Sequence, residues 1–162
     1  MDQEIGLRAA VEDDVEQLAV LSASVQQLHV TARPDVFKTA DPRALRHLFM
    51  RRLTDPAIRI WIAEIAGIVV GHAVTVDKRQ EESLYAHTRS WREVDEVVVG
   101  VGHRRIGVAR ALLRHVEITA RTDGFPAVEL NTWAFNGDAR ASFEHLGFVP
   151  RNVRYERRIQ RA

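Results

Sequence analysis

The chain has 162 residues, 46% apolar and 28% charged, with a formal net charge of +1 and no cysteine. That length suits a single domain burying roughly 70% of the surface an unfolded chain exposes. The lack of cysteine excludes disulfides, thiolate metal sites and a cysteine nucleophile, and the near-neutral charge disfavours a large nucleic-acid footprint. No run of about 18 uncharged apolar residues is present, and MDQEIGLRAA lacks the basic and apolar segments of a secretory signal, so no membrane association and a cytoplasmic location are expected. The 7 histidines show no HExxH or other metal spacing, and no metal is expected.

Residues 3–9 read as a first strand. Val15, Leu18, Val25 and Leu28 then recur at helical spacing behind Glu12, Asp13 and Asp14, acids that suit the positive end of a helix dipole. This helix is expected to end near Leu28-His29, before a polar link holding Pro34 and Phe37. Asp41-Pro42 starts a second helix, with Asp at the N-cap and Pro in the first turn. Leu45, Leu48, Phe49 and Leu53 form its apolar face, and Asp55-Pro56 ends it. Ile58, Ile60 and Ile62 alternate as a strand, and Ala66-Gly67 turns into a second strand over Ile68 to Val76, which makes a hairpin. Asp77 to Trp91 is polar and contains Tyr85, His87 and Trp91. A link that long is a candidate cover for a site or a homodimer contact, beside the plainer reading of a surface excursion.

Val94, Val97, Val98, Val99 and Val101 form a β-branched run that reads as a buried strand. Val108, Ala109, Leu112, Leu113, Val116 and Ala120 mark a helix starting around Arg104 to Ile106 and stopping at Asp123-Gly124. Unpaired amides at such a helix start attract an anion, and the small residues Gly107 and Ala109 let it reach the backbone. Arg104 and Arg105 add charge suited to phosphate, so a pyrophosphate fits the junction. Neither Gly-x-Gly-x-x-Gly nor a loop ending in Gly-Lys-Ser/Thr occurs, which disfavours those other phosphate sites. A strand from Val128 to Trp133 follows, then a helix closed by Leu146-Gly147-Phe148. A last strand is expected over Val153 to Ile159, with Arg151, Arg154, Arg157, Arg158 and Arg161 on a solvated face. Residues 1–98 carry an excess of acids and residues 99–162 an excess of arginines, a split that suits a cationic amine and a polyphosphate respectively.

Arg104-Arg105-Ile106-Gly107-Val108-Ala109 resembles the Arg/Gln-x-x-Gly-x-Gly/Ala pyrophosphate signature of the GNAT superfamily of acetyl-CoA-dependent N-acetyltransferases. Asn136-Gly137-Asp138-Ala139 and Phe143-Glu144-His145-Leu146-Gly147-Phe148 are similar to that family's Asn-x-x-Ala and Tyr-Glu-x-Leu-Gly-Phe segment, in the matching order. The resemblance implies a mixed α/β (α+β) GNAT fold over residues 1–162, its mostly antiparallel sheet holding a splayed parallel strand pair with flanking helices. It implies acetyl-CoA bound along the backbone of Val97, Val98 and Val99, at Arg104, Arg105, Ile106, Gly107, Val108, Ala109 and Arg110, and at Asn136, Ala139, Arg140 and Phe143. A backbone N–H at Val97 or Val98 would stabilise the oxyanion. An amine acceptor, small or on a peptide or protein, must lose a proton before it attacks. Glu93, Asp95 and Glu96 flank the strand start where the family often places a carboxylate, and Glu96 is favoured as base; unbroken alternation puts Glu93 and Asp95 on one face and Glu96 on the other, barring a bulge. His29, Phe37 and Tyr85 are acceptor-site candidates. Phe143 departs from the pattern, since many relatives have there a tyrosine that protonates the leaving thiolate, and it suggests a rival reading as a non-catalytic acetyl-CoA-binding module.

Overall fold

The computed structural model describes residues 4–159; Gln3, the expected start of the first strand, and Arg161 lie outside the described residues. The chain divides into two compact units, Met1–Asn131 and Thr132–Ala162.

The first unit is built on five strands, β1 (Gly6–Ala9), β2 (Ile58–Ile65), β3 (Ile68–Gln80), β4 (Arg89–Val99) and β5 (Val128–Leu130), which lie side by side in chain order. All neighbours are antiparallel except β4 and β5, which run parallel. Three helices cover the sheet: α1 (Val15–Ala32), α2 (Pro42–Thr54) and α3 (Val108–Thr122). The α1 helix runs past its expected end at Leu28-His29 because Val30, Thr31 and Ala32 offer no breaker, and it closes when the Arg33 N–H reaches the His29 carbonyl. Its start is pinned by Asp14, which takes two bonds from Arg8 (2.7 and 2.8 Å) and one from the Val11 N–H. At α2 the Asp41 carboxylate accepts from the Arg43 and Ala44 amides, as its cap position requires.

Adjacent residues in a strand face opposite sides of the sheet, and each side has its own cover. Ile60, Ile62 and Val74 pack against Val15, Leu18 and Ala19 of α1 and its approach and against Phe49 of α2. Side chains such as Leu18, Phe49 and Ile62, all fully buried, each contribute about 1.5–3 kcal/mol. On the other side α3 buries Val108, Leu112, Leu113, Val116 and Ala120. Trp61 of β2 meets His115 of α3 there, with ring centroids 4.5 Å apart.

The segment expected as a fifteen-residue link is mostly strand. Asp77, Lys78, Arg79 and Gln80 continue β3 and pair with Arg92, Trp91, Ser90 and Arg89, leaving only residues 81–88 as the connection. Polar and charged residues take the place of apolar ones along this end of the ladder, with Asp77 and Arg92 an ion pair, which hid the alternation. A second correction concerns register: Val74 pairs with Glu96 but Thr75 pairs with Val94, so Asp95 is an extra residue in a bulge. Glu93, opposite Val76, and Glu96, opposite Val74, therefore share the face covered by α1 and α2, while Arg92 and Val94 face α3. The bulge reverses the expected division of these carboxylates.

In the second unit, α4 (Gly137–His145) is capped by the Asn136 side chain, which accepts from the Ala139 N–H at 3.3 Å. It ends at Gly147, whose φ of +92° is the left-handed conformation that glycine accepts readily. The Phe148 N–H bonds the Phe143 carbonyl and the two rings meet edge to face at 6.2 Å. The strand expected to reach Trp133 stops at Leu130, and the strand expected over Val153 to Ile159 does not form. Alternation there is not matched by a ladder partner, and a strand needs one to satisfy its backbone.

Candidate active site

The parallel ladder between β4 and β5 stops at the Val94–Leu130 pair, yet β4 continues to Val99. Val97, Val98 and Val99 thus lie on a stretch whose β5 side has left its partner. The Gly100 N–H donates to the Val70 carbonyl at 2.9 Å, and the Val98 carbonyl lies against Gly71, so the backbone of Val98 turns toward β3. Strand alternation then directs the N–H and C=O groups of Val97 and Val99 to the open side. Of the two expected oxyanion donors, Val97 has the required direction and Val98 does not.

Beyond β4 the chain makes a single 3₁₀ turn at Val101–His103 and then a left-handed step at Arg105 (φ +63°) and at Gly107 (φ +95°). Those two residues cannot be helical, so α3 starts at Val108 and not in the expected range Arg104 to Ile106. Gly107 becomes its N-cap, and the first α3 backbone bond, from the Ala111 N–H to the Gly107 carbonyl, leaves the amides of Val108, Ala109 and Arg110 unpaired within the helix. A Cβ at Gly107 would meet nothing within 4 Å, so the space beside the N-cap is open. Arg104 reaches back to the Val99 carbonyl with its Nε at 3.4 Å, while Ile106 is exposed and Val108 buried.

On the α1–α2 face of β4, Glu96 is held from three elements. The ring of His72 on β3 places Nε2 3.1 Å from Oε1, and Ser22 of α1 donates its hydroxyl to the same oxygen. Arg52 of α2 donates from Nη1 to Oε2 at 3.0 Å and from Nη2 to Oδ2 of Asp95 at 2.6 Å. The bulge brings Asp95 within reach of the same guanidinium. Burial pushes the Glu96 carboxyl up, but the bond and charge of His72, the Ser22 hydroxyl and the charge of Arg52 outweigh it and hold the group down at about 2. Glu96 therefore stays ionised throughout the neutral range. A carboxylate that holds protons so weakly is a poor match for abstracting one from an ammonium, and what it offers best is fixed negative charge.

The other candidates divide. His29 lies seven residues beyond Ser22 on the same side of α1, stacks on Phe37 at 5.0 Å, and feels the charge of Glu96. Burial lowers its affinity for a proton, and Glu96 opposes that only in part. His29, stacked on Phe37, thus lies within electrostatic reach of Glu96. Glu93 shares the face but is bonded to the Trp91 indole at 3.3 Å. Tyr85 is 96% exposed in the 81–88 turn, beyond the Gln80–Arg89 pair and about 20 Å along β4 from Glu96, and is not brought to the cluster. In the second unit Arg140 is exposed on α4 while Asn136 and Ala139 form its cap. Sequence reasoning missed Ser22, Arg52 and His72. His72 left a trace as the lone histidine of an apolar strand; Ser22 and Arg52 left none that separates them from ordinary helix residues.

The model of the acetyltransferase (GNAT) family matches residues 22–148, most of the chain. The chain belongs to this family. No curated protein sequence matches it. The GNAT fold is shared with solved structures. A tetramutant of the BH1408 protein from Bacillus halodurans is 18% identical over 95% of this chain and 99% of its own, with a TM-score of 0.91. The aminoglycoside N-acetyltransferase AAC(6')-Iy in complex with CoA gives 17%, 98%, 98% and 0.75. A ribosomal-protein-alanine N-acetyltransferase from Brucella melitensis biovar Abortus 2308 gives 22%, 96%, 99% and 0.71. Among the described residues of this GNAT chain no helix is long and apolar enough to cross a membrane, and no group of three or more His, Asp or Glu is placed to hold a metal.

Proposed function

We propose that residues 1–162 act as one acetyl-CoA-dependent N-acetyltransferase domain that acylates a primary amine by direct attack in a ternary complex. The observation that carries this reading is the open edge of β4 beyond Val94, which runs straight into the left-handed turn and free amides at the start of α3. An unpaired strand edge is costly unless a ligand replaces its missing partners, so the outward groups of Val97 and the Val99 N–H fit an extended amide-bearing arm, while the Val99 carbonyl accepts from Arg104. The amides of Val108 to Arg110, with Arg104 and Arg105, fit a pyrophosphate. When bound, acetyl-CoA supplies an acetyl group activated as a thioester.

The chain's own groups then divide the work. The Val97 N–H donates to the carbonyl oxygen that gains charge, a contribution typically worth several kcal/mol. Ionised Glu96, with Asp95 beside it, draws the ammonium form of the acceptor to β4, and His29 and Phe37 line the approach. The amine's proton passes to solvent or to a group of the acceptor site other than Glu96; as the C–N bond forms the C–S bond breaks, and CoA would leave as a thiolate that takes its proton from solvent, since Phe143 has none to donate. No acyl-enzyme is invoked: cysteine is absent, and the Ser22 hydroxyl is committed to Glu96. Asn136, Ala139, Arg140 and Phe143 enter this reading through the motif alone. The acceptor ranges over small amines and peptide or protein amines; one structural relative is an aminoglycoside acetyltransferase and another acts on a ribosomal protein's alanine by its name.

The test is release of CoA thiol from acetyl-CoA across a panel of amines, with binding measured by calorimetry on the same sample. Without cysteine the protein gives no thiol background. Amine-dependent release is expected, and Gly107→Glu, which puts a charged side chain on a φ of +95° in the anion's space, is expected to lower acetyl-CoA affinity by about a hundredfold or more. Unchanged affinity would remove the phosphate site. Tight binding with no release for any amine would favour the non-catalytic module.

A further inference from the structure

His72 is fully buried in β3, with Phe49 edge-on at 5.7 Å. Its Nε2 lies 3.1 Å from Glu96 Oε1 and 3.3 Å from Ser22 Oγ, while among the described residues nothing hydrogen-bonds Nδ1. A carboxylate only accepts, so the proton between Nε2 and Oε1 belongs to the ring. The opposite tautomer would set lone pairs face to face and bury an Nδ1–H donor without an acceptor. Ser22 and Glu96 converge on one ring nitrogen, which rules out a serine–histidine–acid relay, where acid and nucleophile take opposite nitrogens.

We propose that His72 is the positioning residue of the acceptor site: with Ser22 it clamps Oε1 of Glu96, so that Oε2 alone faces Arg52 and the incoming ammonium group. The inference rests on the acetyltransferase reading and deepens it. Two structural elements, β3 and α1, fix one oxygen of the carboxylate, and a third, α2, meets the other. The two carboxylates Glu96 and Asp95 share the one guanidinium of Arg52, so the site favours an acceptor that presents a cationic amine there.

Imidazole nitrogen NMR on the full chain at pH 8 reads the tautomer directly. The expected result is a His72 ring protonated on Nε2, with that resonance displaced in Glu96→Gln. A ring protonated on Nδ1 overturns the proposal whether or not any amine is acetylated, which separates its failure from failure of the acetyltransferase reading. In kinetics, His72→Leu is expected to raise the amine KM or lower kcat about tenfold to a hundredfold, the worth of one hydrogen bond to a charged group, with the acetyl-CoA KM unchanged. His72→Gln, whose amide N–H can replace the ring donor, recovers most of the loss, and His72→Leu adds nothing in a Glu96→Gln background. Additive losses, or a Gln variant no better than Leu, overturn the clamp. Should His72→Leu not fold, Ser22→Ala crossed with Glu96→Gln carries the same cycle on the other half of the clamp.

Discussion

Arg92 and Glu96 lie four residues apart on β4 and each gathers a cluster of charges, yet the bulge at Asp95 sends them to opposite faces of the sheet. Arg92 is 0% exposed, and each of its guanidinium nitrogens is engaged: Nε and Nη2 with Asp77 at 2.7 and 3.1 Å, Nη2 also with Asp123 at 2.8 Å, and Nη1 with Thr119 at 3.3 Å. Its plane lies near the Phe125 ring, and Arg59 joins both aspartates. Two cations and two anions make a closed, neutral knot that ties β2, β3 and β4 to the end of α3. The Glu96 cluster has one carboxylate more than its guanidinium, leaves the Glu96 side chain 24% exposed, and contains a ring nitrogen that has no partner among the described residues. Saturation marks charges that hold a fold, whereas excess charge with partial exposure marks charges available to a ligand.

The most severe way to break that division is Arg92→Met. It removes a fully buried cation that pairs with two partly exposed carboxylates; breaking a buried pair typically costs 3–5 kcal/mol, and because the anions keep solvent and Arg59, the lower end, about 3 kcal/mol, is expected. In a chain of this size that lowers the Tm by roughly 10 °C. Activity per folded molecule should stay as in the wild type at a temperature where both are folded. A loss of kcat at unchanged Tm would mean that the α3 face also serves the chemistry.

Glu96→Gln should do the reverse. Loss of about a hundredfold in kcat/KM, some 2.7 kcal/mol, is expected at a temperature where both proteins are folded. Because the carboxyl is held at about 2, the wild-type pH profile between 5 and 9 should follow the acceptor amine, and the Gln variant should keep the same profile at a lower level. Disappearance of an acid limb in the Gln variant would show that Glu96 titrates within that range, and would return it to the role of base.

The sequence carried the fold's larger parts because those rest on local signals. The α2 cap at Asp41-Pro42, the Ala66-Gly67 hairpin, the α3 stop at Gly124 and the strand-to-helix junction around Gly107 all needed particular residues at particular backbone angles. The junction's helix start was misplaced because a φ of +63° at Arg105 leaves no mark on residue type. The bulge was invisible for a related reason: Asp95 is an ordinary polar residue, and only the partner strand reveals that Thr75 skips it. One inserted residue then reassigned the faces of Glu93 and Glu96. Ser22, Arg52 and His72 come from three elements and meet only through tertiary packing, so no spacing along the chain could have joined them. The far end of the β3–β4 ladder looks like a loop in the sequence because its residues are mostly polar and carry no apolar alternation.

The finest distinction between the two clusters is their behaviour in acid. Burial raises the Asp77 carboxyl, but its bonds to Arg92 and Arg59 and their charges prevail, and it sits below its ordinary value of 3.8. A group depressed in the folded state stabilises above its unfolded pKa, and that stabilisation is lost as pH falls through the folded value. The Arg92 knot should therefore be intact above about pH 5 and weaken progressively below pH 4. Urea midpoints taken from pH 6 down to pH 3 should fall more steeply for the wild type than for Asp77→Asn. The same titration on Glu96→Gln should also be shallower, since Glu96 is held at about 2, but there the change comes with lost turnover at pH 7, whereas Asp77→Asn keeps it. Equal slopes for Asp77→Asn and the wild type would mean that Arg59 and Arg92 do not hold Asp77 ionised. The knot would then owe its strength to Asp123 and the packing of Phe125.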